Sequence, residues 1–289
     1  MKLAAAPISW GVSEVPGWGV QLGPDRVLSQ IVEAGLEATE LGPRGFLPAD
    51  AAAIRARLGP RGLALVGGFV PAVLHQAANR APEFARLRES AALLADAGGA
   101  VLVLAALTGE AGYEAAYRPD ASEWEILRGG IAEAQEIGAR RGLDVAFHPH
   151  YGTVIEREVD VRRLLASTDV PLCLDTGHLL VAGADPLEVA QAAGARIAHV
   201  HLKDVDTALA TRVRARELGY RDAVRAGLYR PLGEGDLDLG GLLEILRACG
   251  YDGWYVIEQD LVLEAGDDPG RPLADVRESL DFLRGLVAA

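Results

Sequence analysis

Short apolar runs alternate with longer amphipathic stretches along the whole chain, and this beat restricts the fold more than any other feature. Residues 3–10 (LAAAPISW) read as a strand, and residues 25–35 (DRVLSQIVEAG) as the helix after it, stopped by its glycine. Residues 36–42 (LEATELG) give a second strand and 49–59 (ADAAAIRARLG) a second helix. Residues 63–70 (LALVGGFV) form a third strand, followed by a helix over 83–99 that ends in a glycine pair. Residues 100–107 (AVLVLAAL) are apolar throughout, as a strand buried on both faces is. A long helix is expected over 122–141. Strands follow at 143–150 (LDVAFHPH), 170–178 (VPLCLDTGH), 195–204 (ARIAHVHLKD) and 253–260 (GWYVIEQD), with a final helix over 272–289.

Eight strand–helix units in 289 residues match the count and size of a single-domain α/β (β/α)8 barrel. No Gly/Pro/Ser-rich linker divides the chain. The rival is a doubly wound open sheet, which usually carries a GxGxxG turn after its first strand; residues 6–19 (APISWGVSEVPGWG) do not. The longest interruption, residues 206–238, lies between the seventh strand and its helix. It is expected to cap the barrel mouth or to reach a neighbouring subunit in a homo-oligomer.

The net charge of −13 argues against a partner such as nucleic acid or an anionic membrane, since both demand a basic face. The two cysteines, Cys173 and Cys249, have no CxxC spacing, so neither a disulfide framework nor a cysteine zinc site is indicated. No apolar run is long enough for a membrane span, and Pro7 interrupts the N-terminal one, so a cytoplasmic protein is expected.

In a (β/α)8 barrel the working residues stand at the C-terminal ends of strands. Here the second strand ends in Glu40, the fifth in His148 and His150, and the sixth in Asp175 and His178. The seventh ends in His201, Lys203 and Asp204, and the eighth in Glu258, Gln259 and Asp260. Five of the six histidines thus fall at the ends of strands five to seven, and only His75 lies elsewhere. Burying so many ionisable groups without partners costs several kcal/mol each. A divalent cation held by histidine and carboxylate ligands is the economical compensation. Taken singly, each residue has a plainer use: Asp175 could cap the following turn, Glu258 could pair with an arginine, and His178 could orient a neighbour.

The order TELGPRG, FHPHYGT, LDTGH, HVHLKDV, GEGDLD and GWYVIEQD resembles the xylose-isomerase-like TIM-barrel sugar isomerase/epimerase superfamily, and within it the inosose dehydratases. The resemblance spans nearly the whole chain. It implies one divalent ion, Mn or Co with Zn, Fe or Mg as alternatives, held by His148, Asp175, His201 and Glu258. Keto-sugar 3-epimerases of the superfamily have a glutamate where His148 stands, and their chemistry uses a carboxylate on each side of the substrate. Inosose dehydratases are similarly histidine-rich at this point. Strand alternation puts His148 and His150 on one face; His148 is assigned to the ion and His150 to the substrate.

The implied reaction removes a proton beside a ketone, stabilises the enediolate with the ion, and expels a β-hydroxyl. Glu258 or Lys203 is expected to take the proton, and His150 to protonate the departing hydroxyl. Glu40, Arg44, Trp10 and His178 are candidates for holding substrate hydroxyls. The substrate is then a small keto-polyol such as 2-keto-myo-inositol. A keto-sugar isomerase or epimerase would use the same ion and return the proton. A DNA-repair endonuclease of the same fold would want a basic face, and a non-catalytic sugar-binding barrel would not need ligands at every strand end.

Overall fold

The computed structural model describes residues 1–288, and Ala289, expected to end the last helix, lies outside them. The first strands are β1 (Lys2–Ala5), β2 (Ala38–Thr39), β3 (Ala64–Leu65), β4 (Gly67–Ala72) and β5 (Val101–Ala106). They are followed by β6 (Asp144–Phe147), β7 (Leu172–Asp175), β8 (Ile197–Leu202), β9 (Asp204–Val205), β10 (Tyr229–Arg230) and β11 (Trp254–Ile257). The helices of the first half are α1 (Pro24–Glu33), α2 (Ala51–Leu58), α3 (Arg80–Ala97), α4 (Ala121–Ala139) and α5 (Glu158–Ser167). The second half contributes α6 (Thr176–Val181), α7 (Pro186–Ala193), α8 (Thr207–Arg214), α9 (Tyr220–Arg225), α10 (Leu239–Ala248) and α11 (Arg271–Ala288).

Nine strand segments make one parallel sheet in the order β3-β2-β1-β11-β8-β7-β6-β5-β4. The two ends of that order are one run of chain broken only at Val66. Its N–H donates to Thr39 O (3.0 Å), while its own carbonyl accepts from Ala100 and Val101 (3.1 and 3.2 Å), so the ring closes through this residue. The result is a TIM barrel.

Several strands are shorter than the apolar runs that announced them. The first stops at Ala5 because Pro7, without an N–H, opens a 3-10 turn (Pro7–Trp10) that Gly11 ends at φ 74°. The second keeps only two residues in register. Helix α4 begins one residue before its expected start, fixed by a capping box between Asp120 and Glu123.

Alternation along the strands sorts the interior. Small apolar side chains fill the lower barrel, among them Ala4, Ala38, Val66, Val103, Ala146, Cys173 and Val256. Two residues further along, on the same face, stand Glu40 after Ala38, His148 after Ala146, Asp175 after Cys173 and Glu258 after Val256. The layer above the apolar floor is therefore the polar layer. On the outer face, strand side chains such as Leu102 and Leu104 share one buried cluster with helix side chains such as Leu28, Ile31 and Leu280, which joins the helices to the barrel.

The segment 206–238 folds back over the mouth. It contains α8, α9 and β10, which pairs antiparallel with β9. Asp204 pins its end: the carboxylate accepts the backbone N–H groups of Gly233, Gly235 and Leu237 at 2.9–3.1 Å. A side chain at Gly235 would collide with that carboxylate, which accounts for the glycine in GEGD. Val205, Ala210, Val213, Tyr220 and Tyr229 then pack with Trp18 and Tyr113 from other loops into a small apolar cluster. Among the described residues no helix is long and apolar enough to cross a membrane.

Candidate active site

Under this cover lies a cavity of about 670 Å³, counted with its open mouth. Its polar floor includes Glu40, His148, His178, His201, Lys203, Glu258 and Asp260. Its walls are apolar or aromatic and include Ile8, Val12, Trp18, Phe69, Tyr113 and Tyr220.

The LDTGH segment shows how local sequence builds the floor. Asp175 ends β7 and caps α6, its Oδ1 accepting the His178 N–H at 2.8 Å, which leaves Oδ2 turned to the centre. The Thr176 hydroxyl donates to Lys203 O (2.6 Å) and accepts from Lys203 N–H (2.8 Å), clamping the next strand alongside. At Gly177 a Cβ would lie 2.6 Å from Lys203 Cβ and 2.8 Å from Tyr229 Cε1, so only glycine lets those side chains close in.

Four ligand-type atoms converge. His148 Nε2 lies 3.2 Å from Asp175 Oδ2 and 3.2 Å from His201 Nδ1. His201 Nδ1 lies 3.4 Å from that same Asp175 oxygen and 3.3 Å from Glu258 Oε2. Ligand bonds of about 2.0–2.2 Å in a tetrahedral site put donor atoms roughly 3.4 Å apart, so this spacing suits a divalent ion. The other face of His201 strengthens the case. Its Nε2 lies 3.2 Å from Glu40 Oε1, which also takes His199 Nε2 at 2.8 Å. A carboxylate behind a ligating imidazole fixes the tautomer that leaves the opposite nitrogen's lone pair free. Cys173 comes within reach of the same histidines, but burial pushes its thiol up to about 11, and a protonated thiol is a poor ligand.

Charge points the same way. Three buried carboxylates, Asp175, Glu258 and Asp260, surround the ammonium of Lys203, and a fourth, Glu40, lies against His199 and His201. Burial works against ionisation of Asp175, but Lys203, His178 and the bonds from His148 and His201 outweigh it and hold the carboxyl well below its usual range. Glu258 goes the other way: burial pushes it up, with Glu40 and Asp175 adding repulsion. Burial opposes a charge on His201 too, yet its negative neighbours raise its pKa well above the usual value. The surplus negative charge is what a divalent ion would neutralise.

Lys203 Nζ sits at 3.0 Å from Asp175 Oδ2, 2.9 Å from Glu258 Oε2, 3.1 Å from Asp260 Oδ1 and 2.9 Å from His178 Nε2. An ammonium has three donors, so these four acceptors exceed it by one. His150 stacks on His178 with ring centres 3.6 Å apart, and its Nδ1 reaches the Tyr151 carbonyl at 2.7 Å.

Of the residues proposed from sequence, Glu40, His148, His150, Asp175, His178, His201, Lys203 and Glu258 are brought together. Two lie elsewhere. Trp10 is in the core, its Nε1 donating to Gln30 Oε1 of α1 at 2.8 Å, because the 3-10 turn directs its ring away from the mouth. Arg44 projects from the surface and pairs with Glu89 at 3.3 Å. Sequence reasoning assigned no part to Trp18, Phe69, Tyr113, Tyr220 or Asp260, all of which line the cavity. Asp260 alone carried a signal, its place at the end of the last strand.

The sequence profile of the xylose isomerase-like TIM barrel family matches residues 28–286. Inosose dehydratase of Geobacillus kaustophilus is 32% identical over 90% of this chain and 87% of its own length. Among solved structures, the probable 3-DHS dehydratase AsbF of Bacillus anthracis superposes with a TM-score of 0.73 at 17% identity, covering 98% of this chain and 99% of the other. An L-ribulose 3-epimerase gives 0.72 at 17% identity, covering 100% and 95%. At those identities the two structures speak for the fold.

Proposed function

We propose, from the premise that the chain belongs to the xylose isomerase-like TIM barrel family, that it dehydrates a cyclic keto-polyol of the inosose type. The observation that carries the reading is the convergence of His148, Asp175, His201 and Glu258 beside the ammonium of Lys203, in a chain 32% identical to an inosose dehydratase. Those four residues would hold a divalent cation, Mn or Co ahead of Zn, Fe or Mg. Bound there, it would supply Lewis-acid stabilisation of the negative charge that develops beside the ketone.

The protein's own groups handle the protons. Glu258, with its pKa raised by burial, is suited to take the proton from the carbon beside the ketone. Lys203 donates a proton to the β-hydroxyl as its C–O bond breaks, and water leaves. Glu258 Oε2 and Lys203 Nζ lie 2.9 Å apart, so the proton gained by one returns to the other and the site resets. His150 fits a different part from the acid expected of it. Its Nδ1 hydrogen is committed to the Tyr151 carbonyl, and burial pushes its pKa well down, leaving Nε2 to accept a substrate hydroxyl. His178 and Glu40 complete the polar floor.

A keto-sugar isomerase or epimerase is the second reading, since it would use the same cluster of His148, Asp175, His201 and Glu258. Epimerisation needs proton carriers on opposite faces of the substrate, whereas Glu258 and Lys203 are in mutual contact. That contact favours elimination. The deciding experiment is mass spectrometry of products from Mn- or Co-loaded protein given 2-keto-myo-inositol in deuterated water. A product lighter by one water is expected. Deuterium uptake without water loss would establish the second reading, and full turnover by Glu258→Ala would refute this assignment of the site.

A further inference from the structure

Segment 206–238 does more than cover the mouth. Lys203 Nζ reaches His178 Nε2 at 2.9 Å, and His178 Nδ1 lies 3.3 Å from the Tyr229 hydroxyl. Tyr229 meets the Tyr220 hydroxyl at 3.0 Å, Tyr220 donates to Asp260 Oδ2 at 2.9 Å, and Asp260 Oδ1 returns to Lys203 at 3.1 Å. This is a closed, buried ring of five side chains, two of them supplied by the inserted segment.

The ring has one consistent set of hydrogen positions. An ammonium only donates, so His178 Nε2 accepts and its Nδ1 carries the hydrogen. That hydrogen goes to Tyr229, whose own goes to Tyr220, whose own goes to the Asp260 carboxylate. The imidazole N–H and both hydroxyls each then have an acceptor, and the ring closes between Asp260 Oδ1 and Lys203 as an ion pair. Composition singles out the ammonium as well: Lys203 is one of two lysines, the other being Lys2, in a chain whose lysines and arginines total 28. An arginine here could not give up a proton, and a lysine can.

We infer that Tyr220 and Tyr229 are positioning residues: by fixing Asp260 and His178 they hold the Lys203 ammonium against Asp175 and Glu258. The inserted segment is thus a working part of the site. Gly177 serves the same end, since its missing side chain lets the Tyr229 ring close on the Lys203 stem. As a statement about catalysis this rests on the proposed reaction, in which Lys203 supplies the proton to the leaving hydroxyl.

The test uses Tyr220→Phe and Tyr229→Phe, which keep both rings and remove only the hydroxyls. Each variant is expected to lower kcat about 10–100-fold, the usual effect of losing an orienting partner, with KM and bound metal little changed. In a Lys203→Met background, adding Tyr220→Phe costs nothing further, because both act through one network. Tyr117→Phe, whose hydroxyl bonds to Glu123 away from the ring, serves as the control for hydroxyl loss. A second readout needs no substrate. Protein labelled with 15N-lysine carries two Nζ resonances, and the Lys203 signal, identified by its absence in Lys203→Met, shifts in both tyrosine variants.

Unchanged kcat with an unmoved resonance would overturn the inference. So would additive losses in the double variant, a rise in KM alone, or loss of bound metal, each of which gives the tyrosines a different part. A wild type that turns over no keto-polyol or keto-sugar defeats the proposed reaction instead, and the Nζ shift then decides the ring by itself.

Discussion

Lys203→Met tests the electrostatic argument most directly. Methionine keeps most of the stem's volume and deletes the charge that Asp175, Glu258 and Asp260 share at 2.9–3.1 Å. Burial opposes that charge, but the three carboxylates hold the lysine pKa well above its usual value. Removing one partner of a buried ion pair costs about 3–5 kcal/mol. Three stranded carboxylates would cost more, except that burial raises the Glu258 pKa, so it takes up a proton more readily than an ordinary carboxylate. We therefore expect a loss of about 3–5 kcal/mol in protein stripped with a chelator. At about 2–4 °C per kcal/mol for a large domain, the melting temperature should fall by roughly 6–20 °C. The sign with pH follows from Glu258. Its folded pKa is raised, so protonation favours the folded state, and the deficit should shrink as pH falls through the raised value. Divalent cation at 1,000 times its Kd should return about 4 kcal/mol. Calorimetry at pH 5 and pH 8, with chelator and with Mn, measures all of this. A stripped variant melting within about 2 °C of wild type, well under the expected shift, would refute the reasoning. A deficit that grows on acidification would refute it too.

Gly177→Ala places a Cβ 2.6 Å from Lys203 Cβ and should cost about 1–3 kcal/mol in urea unfolding while lowering kcat, since both neighbours must move. Asp175 contributes stability that is fully present above the usual aspartate pKa and lost as pH falls through its depressed folded value. Acid titration followed by circular dichroism should therefore find Asp175→Asn less responsive than wild type in that range. Asp206 caps α8 by accepting the Leu209 N–H at 3.0 Å and also meets Arg230, so Asp206→Ala should cost about 1 kcal/mol by chemical denaturation.

What the sequence by itself determined was the order of elements and the layer of each polar strand-end residue. Period-two alternation puts Cys173 with Asp175, Ala146 with His148 and Val256 with Glu258 on shared faces, and the barrel class turns those faces inward. His201 and Lys203 followed from the same alternation. The tertiary structure decided everything that depends on where a loop goes. Trp10 sits one turn from a strand end, and the 3-10 turn at Pro7 sends it into the core beside Gln30. Arg44, in the loop after β2, is turned toward Glu89 on α3. Tyr220 opens the short helix α9 and Tyr229 the two-residue strand β10, both outside the barrel sheet, so barrel alternation does not set their direction. They reach Asp260 and His178 because Asp204 anchors the end of that segment and an apolar cluster presses it onto the mouth. A strand transmits direction through local backbone geometry, two residues at a time. A loop takes its direction from contacts with residues distant in sequence, and these exist only once the barrel has closed.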